Sequence, residues 1–162
     1  MAAASHWRMC HVAPSAASRK TANKTAAMSS ELREALIPSM CMNLRSFRKD
    51  GTPVDTPLWV IAVDDHFFGS YTDDRSFKYK RVRRNPEVEV AACDVWGRRS
   101  TAWFAARCRI VEDTPRRDQI FRLIEKKYGI HWKMSLWGSK LTNRVKHRVV
   151  LEFEVTSSEP LI

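Results

Sequence analysis

Hydrophobic and polar residues alternate with a period of two over much of the chain, and each such run predicts a strand with one buried and one exposed face. Glu87 to Cys93 is the cleanest, with Val88, Val90 and Ala92 on one side and Glu87 and Glu89 on the other. Phe104, Ala106, Cys108 and Ile110 alternate with Trp103, Arg107 and Arg109. Near the end, Val149, Leu151, Phe153 and Val155 alternate with Val150, Glu152 and Glu154. Met42 to Arg48 alternates more loosely. Leu58 to Val63 is an unbroken apolar run, which predicts a strand buried on both faces, and His66 to Thr72 reads as a strand by its aromatic content.

The punctuation between these runs is that of hairpins. Lys49-Asp50-Gly51-Thr52 contains the Asp-Gly pair that favours a tight type I′ turn, after which Pro53 opens the second strand. Asp64-Asp65 makes the next turn, and Gly97 sits at a hairpin tip between Asp94 and Ser100. One helix stands out, from Pro115 to Tyr128. Thr114 is placed as its N-cap, Pro115 at its first position, and Gly129 where it ends, while Ile120, Phe121, Leu123, Ile124 and Tyr128 share a face. Six short strands joined mostly by hairpins predict a mainly β (α+β) protein built on a small antiparallel barrel.

A chain of 162 residues, 44% hydrophobic, fits one domain with one real core, and no stretch reaches the roughly 18 apolar residues of a membrane span. Residues 1–30 differ from the rest: nine Ala, five Ser, Arg8, Arg19, Lys20 and Lys24, and no acid before Glu31. Such a stretch predicts a disordered leader, or a start assigned too early with Met28 as the true beginning. An acid-free, basic leader also fits a mitochondrial transit peptide, the alternative to a cytoplasmic location. The folded domain is placed at residues 31–158. Cys10, Cys41, Cys93 and Cys108 form no CxxC pair, so neither zinc nor a redox couple has its ligand spacing. With six Trp and seven Phe to fill a core the fold needs no disulfides, and a reducing compartment is the simpler reading.

Lys and Arg number 28 against 18 Asp and Glu, a net charge of +10, which points to an anionic partner. The charge is densest from Arg75 to Arg84, with six cations in ten residues. Asp73 or Asp74 can cap a helix there, leaving the first-turn N–H groups, Ser76 and Lys78 where a phosphate would be stabilised. At 100° per residue Lys78 and Arg81 share one side, with Lys80, Arg83 and Arg84 on the other, either a solvated face or a guide for an anionic tail. Basic residues interleaved with aromatics, as in Phe77-Lys78-Tyr79-Lys80-Arg81, also suit a nucleic acid, although no RNP-like strand pair or zinc module accompanies them.

Two ordered blocks carry a family resemblance. Tyr71-Thr72, Ser76-Phe77-Lys78 and Val82-Arg83-Arg84-Asn85-Pro86-Glu87-Val88 resemble the pattern T…S-x-K-x-x-x-L-x-x-N-P-x-V of the pyridoxamine 5′-phosphate oxidase-like, flavin-binding split barrels. Arg48 to Trp59 is similar to their F-R-x-D-G-x-P-x-x-T-P-V-W segment, and Lys127-Tyr128-Gly129 follows in order. The resemblance implies a six-stranded split barrel that forms a homodimer, with a flavin or deazaflavin in a groove at the subunit interface. Carried over by position, Ser76 and Lys78 bind the cofactor phosphate, Tyr71 and Thr72 supply strand-end contacts, and Thr56, Pro57, Leu58 and Trp59 line the ring.

True pyridoxamine phosphate oxidases carry Arg where this chain has Thr56, and often Arg where it has Phe77, so their activity is not implied. The Thr-Pro-Leu-Trp strand and the basic helix are more similar to the branch that uses coenzyme F-420, a deazaflavin whose side chain holds a phosphodiester and a polyglutamate tail. That tail would meet Lys80, Arg81, Arg83 and Arg84, with FMN the alternative cofactor. The implied reaction is hydride transfer between the cofactor and a small electron-poor substrate, with no catalytic acid required. A barrel that binds cofactor or haem without turnover, or a nucleic-acid module, are the competing readings. His66 and His131 read as structural residues before proton donors or haem ligands, Trp132 and Trp137 as core before ring covers, and Cys93 and Cys108 as buried thiols.

Overall fold

A computed structural model describes residues 32–141, 145–157 and 159–161. The leader reading falls on residues outside these. After a short helical turn, α1 (residues 32–36), come β1 (Cys41–Phe47), β2 (Pro53–Trp59), β3 (Ile61–Ala62), β4 (Phe67–Asp73), α2 (Phe77–Arg84), β5 (Glu87–Cys93), β6 (Phe104–Val111), α3 (Thr114–Leu141) and β7 (Arg148–Val155). The strands form one antiparallel sheet in the order β2-β1-β5-β6-β7-β4-β3. Among the described residues, no helix is long and apolar enough to cross a membrane.

The sheet order explains why there are seven strands and not six. β2 and β3 are opposite edges of the sheet, yet only Val60 separates them in sequence. The sheet therefore curls until its edges meet, and the apolar run from Leu58 to Val63 crosses the seam instead of forming one strand. At the seam Val60 has left the ladder, so its buried peptide groups need other partners. The Tyr128 hydroxyl accepts from Val60 N at 2.8 Å, and Lys127 Nζ donates to both Val60 O and Ser39 O at 2.7 Å. The Lys127-Tyr128 pair thus pins the closure of the barrel.

Inside the barrel, Met42, Leu44, Val60, Val90, Leu151 and Phe153 are fully buried, as the alternation of β1, β5 and β7 requires. A second cluster lies outside the sheet, where Ile120, Ile124, Tyr128 and Trp132 of α3 cover Ile61 and Val150. Burying Ile120 and Ile124 contributes about 1.5–3 kcal/mol each. The helix differs from the sequence reading at both ends. Asp113, not Thr114, is the cap, its carboxylate accepting from Arg116 N at 2.9 Å. Gly129 breaks the helix with φ 49° and ψ −116°, but helical structure resumes to Leu141 and brings Trp132 into the core.

The β1–β2 and β5–β6 hairpins share a turn. Arg48 N bonds to Thr52 O and Gly51 N to Arg48 O, and in the same pattern Asp94 N bonds to Arg98 O and Gly97 N to Asp94 O. Each glycine has a φ near +80°, one residue after the turn, the left-handed position of a three-residue loop. Gly51 therefore follows the turn, and the two-residue type I′ form expected from Asp50-Gly51 is not adopted. The second tip folds over the sheet, where Asn43 Nδ2 donates to Gly97 O at 2.7 Å.

Candidate functional site

The end of β2, the end of β4 and the first turn of α2 converge on an open cleft of about 280 Å³. β2 supplies Pro57, Leu58 and Trp59, β4 supplies Tyr71, Thr72 and Asp73, and α2 supplies Lys78. These segments meet because barrel closure at Val60 brings β2 beside β4. The Trp59 indole stacks on Tyr128 with ring centres 4.4 Å apart and planes nearly parallel, and meets the Tyr71 ring edge-on at 5.9 Å. Tyr128, held by the seam, fixes the aromatic wall of the cleft from behind.

α2 begins beside this wall because Ser76 caps it, its hydroxyl accepting from Tyr79 N at 3.3 Å. Neither Asp73 nor Asp74 is the cap. Asp73 instead accepts from the Arg75 guanidinium at 2.8 Å and from Arg75 N at 2.9 Å, which holds its carboxyl well below the usual carboxylate range. Ser76 Oγ also lies 3.2 Å from Thr72 Oγ1, so the two hydroxyls form a linked pair at the rim. Lys78 is half-buried. Loss of hydration pulls its pKa down, and the nearby Arg81 charge adds to that. Asp73, paired to Arg75, partly opposes that lowering, and Lys78 is the single cation among the described residues that line the cleft.

Of the residues named from sequence, Pro57, Leu58, Trp59, Tyr71, Thr72 and Lys78 line one cleft, and Ser76 does not line it but has its hydroxyl 3.2 Å from that of Thr72. Thr56, half-buried on β2, does not line it. Lys80 and Arg81 lie elsewhere. Together with Arg48, Lys49, Phe77 and Arg84 they line a second groove of about 390 Å³ on the other face of α2. Arg81 was expected beside Lys78. It turns away because its Nε donates to Ser46 Oγ on β1 at 2.9 Å, which puts it on the stripe Phe77, Lys80, Arg81, Arg84.

Arg148 was not singled out from sequence. Register pairs it with Asp73, and its guanidinium lies 4.9 Å from the Tyr71 ring centre and 4.6 Å from that of Trp132. Only strand pairing reveals this, since Arg148 merely precedes the last alternating run. His66 is exposed in the turn before β4, not in a strand, and His131 is exposed on α3; neither lines the cleft or the groove. Trp132 is core, packed against Tyr71 and Phe121, whereas Trp137 is exposed. Burial raises the Cys93 and Cys108 thiols to about 12, so both stay protonated at neutral pH.

Residues 28–160 match the protein-family model described as pyridoxamine 5′-phosphate oxidase. No curated protein matches the chain. Among solved structures it is similar to a putative pyridoxamine 5′-phosphate oxidase from Listeria innocua, with a TM-score of 0.58 and 18% identity over 80% of this chain and 94% of that one. It is also similar to the heme storage protein HutZ from Vibrio cholerae, with a TM-score of 0.53 and 11% identity over 80% and 91%. An FAD-binding protein from Mesorhizobium loti gives a TM-score of 0.51 and 18% identity over 80% and 88%. These likenesses show a shared fold.

Proposed function

The chain belongs to the pyridoxamine 5′-phosphate oxidase family, and from that premise and the geometry of the cleft we propose that it is an oxidoreductase holding a flavin-type cofactor between β2, β4 and α2. The observation that carries this reading is the convergence of a desolvated lysine, the Thr72 hydroxyl with Ser76 Oγ 3.2 Å from it, and the Trp59 and Tyr71 rings at one opening. When bound, the cofactor supplies hydride transfer to or from a small electron-poor substrate. The chain supplies the rest. The Lys78 ammonium regains by ion pairing with a phosphate the stabilisation that burial removes, and Thr72 and Ser76 donate hydroxyl hydrogens to phosphate oxygens. Pro57, Leu58 and Trp59, which line the cleft, would contact the ring and exclude water from it.

The charge of the cleft favours a deazaflavin over FMN. A phosphodiester carries one negative charge, matching the single cation of the lining, whereas a phosphate monoester carries about 1.5 to 2 at neutral pH. Thr56, standing where the true oxidases have Arg, adds no second cation. The reading includes a homodimer, supported by Ile130, Met134 and Trp137, exposed at a four- and three-residue spacing along the second half of α3. The absorption spectrum tests it after incubation with each cofactor and desalting. A retained chromophore absorbing near the violet is expected. A retained yellow flavin alone would favour FMN, a red pigment haem storage, and a colourless protein would contradict the reading.

A further inference from the structure

The groove on the far face of α2 has a composition the cofactor cleft does not explain. Arg48 and Lys49 come from the β1–β2 turn, and Lys80, Arg81 and Arg84 from one stripe of the helix. Arg81 and Arg84 are fixed by neutral acceptors, Ser46 Oγ at 2.9 Å and Phe47 O at 2.6 Å, which orient the guanidinium groups without neutralising them. Among the described residues none of these five cations has an ion-pair partner, and Arg81 is less basic than usual because of burial and the neighbouring Arg48 and Arg84 charges. Five like charges gathered around one hollow repel each other unless an anion joins them.

The groove also holds an apolar surface. Phe77 is 78% exposed, with only the Lys80 ammonium over its ring, 5.6 Å from the centre. A ligand made solely of carboxylates or phosphates would satisfy the cations and leave this ring in water. A nucleotide covers it with the base while its phosphates meet the arginines and lysines. We propose that this groove is a second site, which takes a nucleotide bearing at least two negative charges, its base on Phe77 and its diphosphate among Arg48, Lys49, Lys80, Arg81 and Arg84. The volume of about 390 Å³ suits one such unit. The donor can be a free nucleotide or the nucleotide half of a larger molecule, and both present the same chemistry to the groove.

Calorimetric titration of the full chain with ADP, pyrophosphate, triglutamate, NADPH and a short single-stranded oligonucleotide tests the proposal, with thermal melts confirming that each variant folds. ADP is expected to bind at least tenfold more tightly than pyrophosphate or triglutamate. Phe77→Ala should erase that preference, and Lys49→Ala with Lys80→Ala should weaken ADP and pyrophosphate together by about tenfold. NADPH binding more tightly than ADP identifies the larger source, and equal binding the free nucleotide. Lys78→Ala should leave ADP unchanged, so the groove and the cofactor cleft fail or stand separately. Equal affinity for ADP and pyrophosphate, tighter binding of triglutamate, indifference to Phe77→Ala, or an oligonucleotide bound a hundredfold more tightly than ADP would each overturn the proposal.

Discussion

Two arginine-rich regions of this molecule do opposite things. On β7, Glu152 is entirely buried, and Arg109 and Arg116 close on it, Arg116 reaching Oε1 at 2.7 Å and Asp64 at 2.6 Å. Phe67 lies beneath both guanidinium groups, 5.0 and 5.8 Å from its ring centre. Around α2, Arg81 and Arg84 have a hydroxyl and a carbonyl where the first pair has carboxylates. The first arrangement is complete within the chain and serves the fold. The second leaves its charge available, and so does Lys78 on the adjoining face. Net charge alone does not separate these cases; pairing does.

The contrast is broken most severely by replacing both Arg109 and Arg116 with alanine. A buried Glu152 carboxylate would then lack partners, and denaturant unfolding should show a loss of about 3–5 kcal/mol. Next in size is Tyr128→Phe, a neutral counterpart that strands the Val60 N–H at the barrel seam. It should cost about 1–3 kcal/mol, read in the same assay. A smaller effect lies in pH. Burial depresses the Lys78 pKa below 10.5 in the free protein, so as pH rises cofactor affinity should begin to fall before 10.5 is reached, as the ammonium is lost, and should be full at lower pH. The limiting slope is one proton, at most about 1.4 kcal/mol per pH unit, and Lys78→Arg should move the fall to higher pH. Smallest of all, Lys49→Ala with Lys80→Ala should leave unfolding within about 0.5 kcal/mol of the parent chain, because among the described residues neither cation is ion-paired and Lys80 meets only the exposed Phe77 ring. A loss of several kcal/mol there would erase the distinction between the two regions.

The barrel was legible where one face of a strand meets the core and the other does not. Glu87 to Val90 sit as their alternation requires, and the α3 face from Ile120 to Tyr128 is buried as its spacing requires. β7 departs from its alternation: Val150 and Glu152, expected on the open face, are buried under α3 and the Arg109 and Arg116 side chains. Illegible were features that depend on what lies across the sheet. An apolar run such as Leu58 to Val63 has the same composition whether it stays in one ladder or crosses between two edges, so the break at Val60 was hidden. Asp50-Gly51 fits either of two turns, and the flanking hydrogen bonds select the longer one. Most of the cleft was legible because its residues adjoin recognisable family motifs. The division of α2 into two binding faces was not, since Arg81 lies about 60° from Lys78 and about 40° from Phe77, and only Ser46 decides which way it turns.

The cofactor cleft is tested most directly by equilibrium titration of deazaflavin and FMN into the parent chain and into Lys78→Ala, followed by absorbance. The parent is predicted to bind the deazaflavin more tightly than FMN, and the variant to lose at least tenfold in affinity while melting at nearly the same temperature. Binding of either cofactor undiminished by Lys78→Ala, or binding of neither by the parent chain, would contradict the account.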